Sequence, residues 1–267
     1  MPSMTIKEFV AKEKEQLSAE VATLPHTPHL VIIQANDSPA SDAYVRGKIK
    51  DCDEVGARAT LCLLPPTTEE DYLLGKIAEY NEDEDVDGII VQLPLPSHIS
   101  EAKVKLAVDP KKDVDGFHPL TSFVPCTPKG IVDYLTEEGF PFVGKNAVVL
   151  GRSEIVGKPM AKLLLSKHCN VTVLHSRTTE EDKAFYIAHA DLIVVAIGRL
   201  GFLDARFQYK PSAVIVDVGI NRNEEGKLRG DAVAGLPVAL QTPVPGGVGL
   251  LTRLALVKNL IIAAKSR

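Results

Sequence analysis

Two runs within residues 144–178 decide the fold of this chain: 144–159 read Gly-Lys-Asn-Ala-Val-Val-Leu-Gly-Arg-Ser-Glu-Ile-Val-Gly-Lys-Pro, and 173–178 read Val-Leu-His-Ser-Arg-Thr. A short apolar run that stops at Gly151 predicts a strand, and the apolar spacing after Gly157 predicts a helix, followed by a second strand. A strand that feeds a glycine turn at a helix N-terminus can bind a pyrophosphate. The ligand is held by backbone N–H groups and by the positive end of the helix dipole. The stretch therefore predicts a doubly wound, dinucleotide-binding sheet.

The same stretch departs from the usual dinucleotide pattern at two points. Ser153 stands where a middle glycine is usual. A fold that selects NAD places an acidic residue about 20 positions after the turn, but here that place carries His175–Thr178, which contains no carboxylate. Hydroxyls with a cation suit a 2′-phosphate, so the sequence favours NADP. The alternative is an ordinary basic surface turn.

Composition excludes several other classes of protein. A chain of 267 residues allows one large or two modest domains, and a net charge of −5 without a basic stripe argues against nucleic acid as a partner. Apolar runs stay shorter than the roughly 20 residues that span a bilayer, so no membrane partner is expected. The widely spaced cysteines are typical of reduced thiols in a cytoplasmic enzyme, and neither they nor the histidines have metal-ligand spacing. We expect no metal.

Predicted strands and helices alternate along the whole chain, which predicts right-handed crossovers and mostly parallel sheets. Strands are expected at 30–34, 58–63, 88–92, 148–150, 171–174, 192–196 and 213–218, and helices at 42–55, 71–81, 129–138, after Gly157 and at about 252–264. We predict two α/β domains, the second a Rossmann-like doubly wound parallel sheet. The first covers residues 1–126 and is completed by a C-terminal helix within 250–267. The second covers 127–249.

Four polar residues in the first domain are candidates for chemistry. Tyr44 and Lys48 are four apart on a predicted helix, so they share one face, which also carries the apolar Cys52. A lysine beside an apolar face can lose proton affinity and act as an acid–base, although a lysine with a solvated head beside a core tyrosine fits the spacing better. Gln92 ends a predicted buried strand, where parallel sheets bind ligands. Asp115 precedes a glycine and is equally consistent with a simple turn.

Taken together, these segments resemble the bifunctional methylenetetrahydrofolate dehydrogenase/cyclohydrolase family over nearly the whole chain. The matching motifs occur in the family's order and lie at Ser41–Lys48, Gly88–Pro96, Lys112–Gly116, Pro125–Pro128, Gly151–Pro159, His175–Thr178, Asp217–Asn221 and Thr242–Gly249. The resemblance implies two reactions in one-carbon metabolism, in one cleft between the domains. The first oxidises 5,10-methylenetetrahydrofolate with NADP, and the second hydrolyses the methenyl product to 10-formyltetrahydrofolate. It also implies tetrahydrofolate derivatives as ligands and a homodimer formed through the dinucleotide domain.

The resemblance also implies roles for individual residues. Lys48 is the general acid–base of the hydrolysis, oriented by Gln92, and Tyr44 stacks on the folate. Asp115 binds the pterin through paired hydrogen bonds. Gly246 and Gly247, with Val248, allow close backbone approach to both ligands. The 2′-phosphate is held by Arg152 and Ser176. The rest of the cofactor site is formed by Gly151, Ser153, Ile155 and Ile220.

The chain departs from the family pattern in two places. Only Leu120–Val124 separate Pro119 from Pro125, where the family has a longer loop with an Asn-x-Gly element, and Leu250-Leu251 replace the usual Pro-Met. A dehydrogenase without efficient cyclohydrolase activity is therefore an alternative. Two further alternatives are a non-catalytic folate- or nucleotide-binding protein and an unrelated NADP dehydrogenase acting on a small acid or amino acid. The last leaves the set of Tyr44, Lys48, Gln92 and Asp115 without a purpose.

Overall fold

The computed structural model describes residues 4–266, which form two compact units. The first, named the folate-side unit after the ligand that the sequence resemblance implies, comprises residues 11–126 and 253–266; the second, named the nucleotide-side unit on the same ground, comprises 4–10 and 127–252. Each unit contains its own parallel sheet. The predicted α/β class is therefore confirmed.

Three parallel strands form the sheet of the folate-side unit, in the order β2-β1-β3. Its elements are α1 (Ile6–Val21, which begins in the other unit), β1 (His29–Gln34), α2 (Pro39–Glu54), β2 (Arg58–Leu63), α3 (Glu70–Glu82), β3 (Gly88–Gln92) and α4 (Glu101–Ala107). Strand β1 is buried at every position, as expected for an almost wholly apolar central strand. Parallel register pairs Gln34 with Gln92 at the carboxyl end of the sheet, the edge where such folds bind ligands.

Five parallel strands form the main sheet of the nucleotide-side unit, in the order β10-β7-β6-β4-β5. The elements are α5 (Cys126–Glu137), β4 (Asn146–Leu150), α6 (Gly157–Ser166), β5 (Asn170–Leu174), α7 (Glu180–His189), β6 (Leu192–Val195), β7 (Val214–Asp217), β8 (Asn221–Arg222), β9 (Leu228–Arg229), β10 (Leu240–Gln241) and the start of α8 (Val248–Lys265), which belongs to the folate-side unit from Arg253 onward. The chain leaves β4 in one direction to β5 and returns to its other side as β6. That reversal creates a crevice beyond the carboxyl ends of β4 and β6.

The structure corrects several predicted boundaries and adds elements. The final helix begins at Val248, four residues before the predicted start, and the predicted helix at 42–55 begins at Pro39. Helix α7 was not predicted because its apolar residues form one contiguous run, 184–188, without helical spacing, and it buries only two side chains, Lys183 and Ile187. None of the helices within residues 4–266 has the length and apolar character needed to cross a membrane.

Candidate functional site

Helix α2 and strand β3 bring three of the predicted residues together. Lys48 is 6% exposed, and its Nζ donates a hydrogen bond to Oε1 of Gln92 at 3.1 Å. The same Nζ lies 5.2 Å from the centroid of the Tyr44 ring. The Gln92 amide is oriented because its Nε2 donates to the carbonyl of Leu93 at 2.7 Å, which leaves Oε1 for the lysine. We call Tyr44, Lys48 and Gln92 the lysine cluster.

Burial lowers the pKa of Lys48 below the usual lysine value, because the charged ammonium loses its hydration. The carboxylate of Asp115 opposes this shift most strongly, the thiols of Cys126 and Cys52 oppose it less, and the guanidinium of Arg253 adds to it. The result is an amine that releases its proton more easily than an exposed lysine, which a general acid–base requires.

A second group of charges holds the helix that carries Lys48. The buried carboxylate of Asp51 lies 2.5 Å from Nζ of Lys14 and 2.9 Å from Nε of Arg253. Arg253 lies directly against the helix at Gly47, where a Cβ atom would fall 1.7 Å from Nη1 of the arginine. The glycine before Lys48 is therefore needed for this close approach.

Asp115 lies half-buried in a tight loop after α4, beside a small pocket that it shares with Lys105 and Phe117. The neighbouring Asp113 shapes the loop, since its carboxylate accepts hydrogen bonds from the N–H groups of Gly116 (3.2 Å) and His118 (2.6 Å). The Asp115 carboxylate takes no part in these bonds; its side chain is hydrogen-bonded to the thiol of Cys126.

The short connection from Pro119 to Pro125 folds back on this loop. Gly116 has a φ of 82°, and a Cβ there would lie 2.7 Å from the nitrogen of Pro125. Asn259 of α8 closes the connection, since its Nδ2 donates to the carbonyls of Val114 (2.9 Å) and Val124 (3.2 Å). One buried amide thus ties both ends of the segment that contains Asp115.

The nucleotide-side unit has a cavity of about 380 Å³ at the reversal of strand order. The cavity is lined by residues at and after the carboxyl ends of β4, β5 and β6, and by Lys183 of α7. The lining residues are Leu150, Gly151, Arg152, Leu174, His175, Ser176, Lys183, Ala196, Ile197, Arg199 and Phe202. A Cβ at Gly151, where φ is 119°, would lie 2.4 Å from the carbonyl oxygen of Ala196. A Cβ at Gly157 would lie 2.4 Å from the carbonyl oxygen of Gly151. Both glycines are therefore required by close backbone packing.

The remaining predicted cofactor residues lie outside this lining. Ser153 supports the turn, because its Oγ accepts hydrogen bonds from the N–H groups of Val156 and Gly157, each at 3.2 Å. Ile155 and Ile220 are exposed at 37% and 65%. Of the six predicted cofactor residues, Gly151, Arg152 and Ser176 line one cavity, and the other three do not line it.

Gly246 and Gly247 form the turn that precedes α8. Gly246 has a φ of 89°, and a Cβ at Gly247 would fall 2.1 Å from the carbonyl oxygen of Pro243. The turn therefore presents bare backbone, which is compatible with close approach by a ligand.

Several supporting residues were not identified from the sequence. Lys183 is 9% exposed and lines the cavity, with its Nζ bonded to Glu180 at 2.5 Å. Asn259 could have been identified from the sequence, because it is an isolated amide in a helix that is otherwise strongly apolar. Lys183 could not, since it follows three acidic residues in a polar run. Among the described residues, no group of three or more His, Cys, Asp or Glu side chains is arranged to hold a metal ion.

Comparison with known proteins places both units in one family. Residues 4–115 match the model of the tetrahydrofolate dehydrogenase/cyclohydrolase catalytic domain, and residues 125–267 match that of its NAD(P)-binding domain. A bifunctional protein FolD from Streptococcus pneumoniae is 48% identical, with 97% of this chain and 95% of the relative covered. One from Acetivibrio thermocellus is 45% identical with the same coverage.

Solved structures give the same result. The bifunctional dehydrogenase/cyclohydrolase of Campylobacter jejuni has a TM-score of 0.94 at 38% identity, covering 98% of this chain and 97% of that one. The Trypanosoma brucei enzyme, solved with NADP and an inhibitor, has a TM-score of 0.93 at 31% identity, covering 100% and 98%. This chain belongs to the tetrahydrofolate dehydrogenase/cyclohydrolase family.

Proposed function

We propose that the lysine cluster performs the hydrolytic half of a two-step reaction on a folate one-carbon unit, and that the cavity beyond β4 and β6 serves the oxidative half. The enzyme oxidises 5,10-methylenetetrahydrofolate with NADP and hydrolyses the methenyl product to 10-formyltetrahydrofolate. The observation that carries the assignment of residues is the buried Lys48 amine, bonded to Gln92 and close to the Tyr44 ring.

The hydrolytic step requires proton movement, because water must lose a proton as it attacks the methenyl carbon. A lysine with a lowered pKa can accept that proton as the free amine. The resulting ammonium then donates to the ring nitrogen that departs from the carbon when the ring opens. Gln92 accepts a hydrogen bond from Nζ and so keeps the amine aimed in one direction through both transfers.

Tyr44 and Asp115 serve binding in this proposal. Tyr44 offers an aromatic face beside the amine, on which the flat folate ring system can stack. The Asp115 carboxylate can accept two parallel hydrogen bonds from the amino group and adjacent ring nitrogen of a pterin. Its negative charge also favours the protonated form of Lys48, so a ligand that neutralises this carboxylate would further lower the lysine pKa.

The nucleotide-side cavity fits NADP on its own features. Gly151 and Gly157 allow the closely packed turn before α6. The N–H groups of Gly157 and Lys158 are bonded to Ser153, so it is the positive end of the helix dipole that favours a pyrophosphate there. Arg152 and Ser176 lie together on the lining and offer a cation and a hydroxyl for the 2′-phosphate. When bound, NADP supplies the hydride acceptor; the residues of this chain bind and orient the dinucleotide, and no side-chain acid is needed for the transfer.

Three broader assignments belong to the same proposal. Residues 11–126 with 253–266 bind folate, and residues 127–252 bind the dinucleotide. The protein acts in the cytoplasm, which its four free cysteines support. It forms a homodimer through the nucleotide-side unit, where Leu200 (48% exposed) and Val233 (39%) offer apolar surface; sedimentation velocity at several concentrations tests this.

The test of the proposed function is a pair of assays on the purified protein. One follows NADP reduction with 5,10-methylenetetrahydrofolate, and the other follows decay of methenyltetrahydrofolate absorbance above the uncatalysed rate. Both activities are expected. NADP reduction without methenyl decay would favour the second candidate, a monofunctional dehydrogenase, for which the shortened connection after Pro119 is the specific argument. Failure to reduce NADP with the folate substrate would refute both.

A further inference from the structure

Two buried carboxylates of the nucleotide-side unit lie outside the residues assigned so far. Asp231 is fully buried and Asp217 is 2% exposed. Buried carboxylates are costly unless several donors satisfy them, so their partners indicate what they hold in place.

Asp231 binds three successive backbone N–H groups of the loop after β6. Its Oδ2 accepts from Ile197 (2.7 Å) and Gly198 (2.9 Å), and its Oδ1 accepts from Arg199 (2.8 Å). Nδ2 of Asn221 donates to the same Oδ1 at 2.9 Å. Consecutive N–H groups around one anion form a concave backbone nest, a geometry that fixes the loop.

The loop held in this way is a wall of the nucleotide-side cavity. Ala196, Ile197 and Arg199 line the cavity, whereas Asp231 does not. The carbonyl oxygen of Ala196 also packs against the Gly151 turn, where a Cβ would lie only 2.4 Å from it, so the position of this loop and of the Gly151 turn depend on each other.

Asp217 in turn anchors Asp231. Its carboxylate accepts from the N–H groups of Gly219 (2.9 Å), Asp231 (2.9 Å) and Ala232 (2.8 Å). A Cβ at Gly230 would lie 1.8 Å from Oδ2 of Asp217, so the chain before Asp231 can pass only as glycine. The two carboxylates thus connect the end of β7 to the loop after β6.

We propose that Asp231 is a positioning residue for the dinucleotide: its carboxylate sets the loop 197–199 as the wall against which the cofactor binds. The inference rests on the proposed function, since it takes the cavity to be the NADP site. Asp231 affects binding of the dinucleotide only through the loop and takes no part in hydrolysis at the lysine cluster.

The test is Asp231→Asn, which keeps the shape but turns an NH₂ group towards the backbone donors. The expected result is a rise of about 10-fold in KM for NADP and in Kd for NADPH, equivalent to about 1.4 kcal/mol. The kcat at saturating NADP and the rate of methenyl hydrolysis should stay within about twofold of the wild-type values. A general loss of structure would instead lower both rates together with NADP binding. The matched control is Asp204→Asn, a half-buried carboxylate paired with the exposed Arg206, which should change neither quantity.

A second variant keeps the proposal testable if Asp231→Asn fails to fold. Asn221→Ala removes a single hydrogen bond to Asp231 and should raise the same two constants by roughly 2- to 4-fold. Unchanged NADPH binding in a folded Asp231→Asn protein would overturn the proposal. So would a parallel loss of both activities in Asn221→Ala. If the wild-type protein does not bind NADPH, the assignment of the cavity itself fails.

Discussion

Removal of the Asn259 amide should destabilise the folate-side unit by an amount that can be worked out from its hydrogen bonds. Asn259→Ala removes two buried hydrogen bonds and leaves the carbonyls of Val114 and Val124 without that donor. Each unsatisfied buried group costs about 1–3 kcal/mol, although the thiol of Cys126 also contacts the Val114 oxygen and softens one loss. We therefore expect the free energy of unfolding of the folate-side unit to fall by about 2–4 kcal/mol.

Urea denaturation and thermal melting measure this change. The expected fall in Tm is roughly 5–15 °C, and KM for the folate substrate should rise because the Asp115 loop loses its tie. Asn170→Ala is the matched control, since its amide bonds two exposed acceptors and should change stability by less than about 0.5 kcal/mol. Asn259→Leu separates polarity from packing, because it fills the space without donating. A loss of unfolding free energy below about 1 kcal/mol in Asn259→Ala, or wild-type stability in Asn259→Leu, would show that these hydrogen bonds do not stabilise the unit.

Three further predictions concern the two sites. Arg152→Ala should raise KM for NADP about 10-fold or more with little change in kcat, whereas Lys158→Ala on the same turn should not; equal effects in steady-state kinetics would contradict the phosphate assignment. Gly157→Ala should abolish NADPH binding measured by fluorescence titration but spare methenyl hydrolysis, because its Cβ would meet the Gly151 carbonyl at 2.4 Å; normal binding would contradict this. Burial lowers the pKa of Lys48, so below 10.5 the unfolded chain binds a proton that the folded chain releases, and the contribution of Lys48 to stability rises with pH towards 10.5. The thiol of Cys52 and the phenol of Tyr134, whose pKa values burial raises to about 12, act in the opposite direction. The difference in unfolding free energy between the wild type and Lys48→Met should therefore change with pH in urea titrations, and a constant difference would count against the lowered pKa of Lys48.

Much of the fold could be predicted because the buried strands are visible in the sequence as apolar runs. β1 and β4 are buried at nearly every position, and both end at polar or glycine residues that the sequence makes plain. Helix α7 was missed because it buries only two side chains, one of them a lysine, and its apolar residues form no helical stripe. Tertiary contacts, and not local propensity, stabilise such an element.

The lysine cluster shows what spacing can and cannot predict. Spacing of four placed Tyr44 and Lys48 on one helical face, and the structure adds the hydrogen bond to Gln92, which comes from a strand 44 residues away. Nothing in the sequence alone brings that strand to the helix. Asp231 was harder to predict, because an aspartate after a glycine predicts only a turn, whereas its four donors come from the loop after β6 and from Asn221 of β8.

The most direct test of the central claim compares Lys48→Met with Lys50→Met in the two assays. The second lysine is exposed on the same helix and pairs only loosely with Glu54, at 3.5 Å, so it controls for loss of charge. Lys48→Met should lose methenyl hydrolysis by about 10²–10⁴-fold and keep measurable NADP reduction, while Lys50→Met should keep both. Undiminished hydrolysis in a folded Lys48→Met protein would exclude Lys48 as the acid–base.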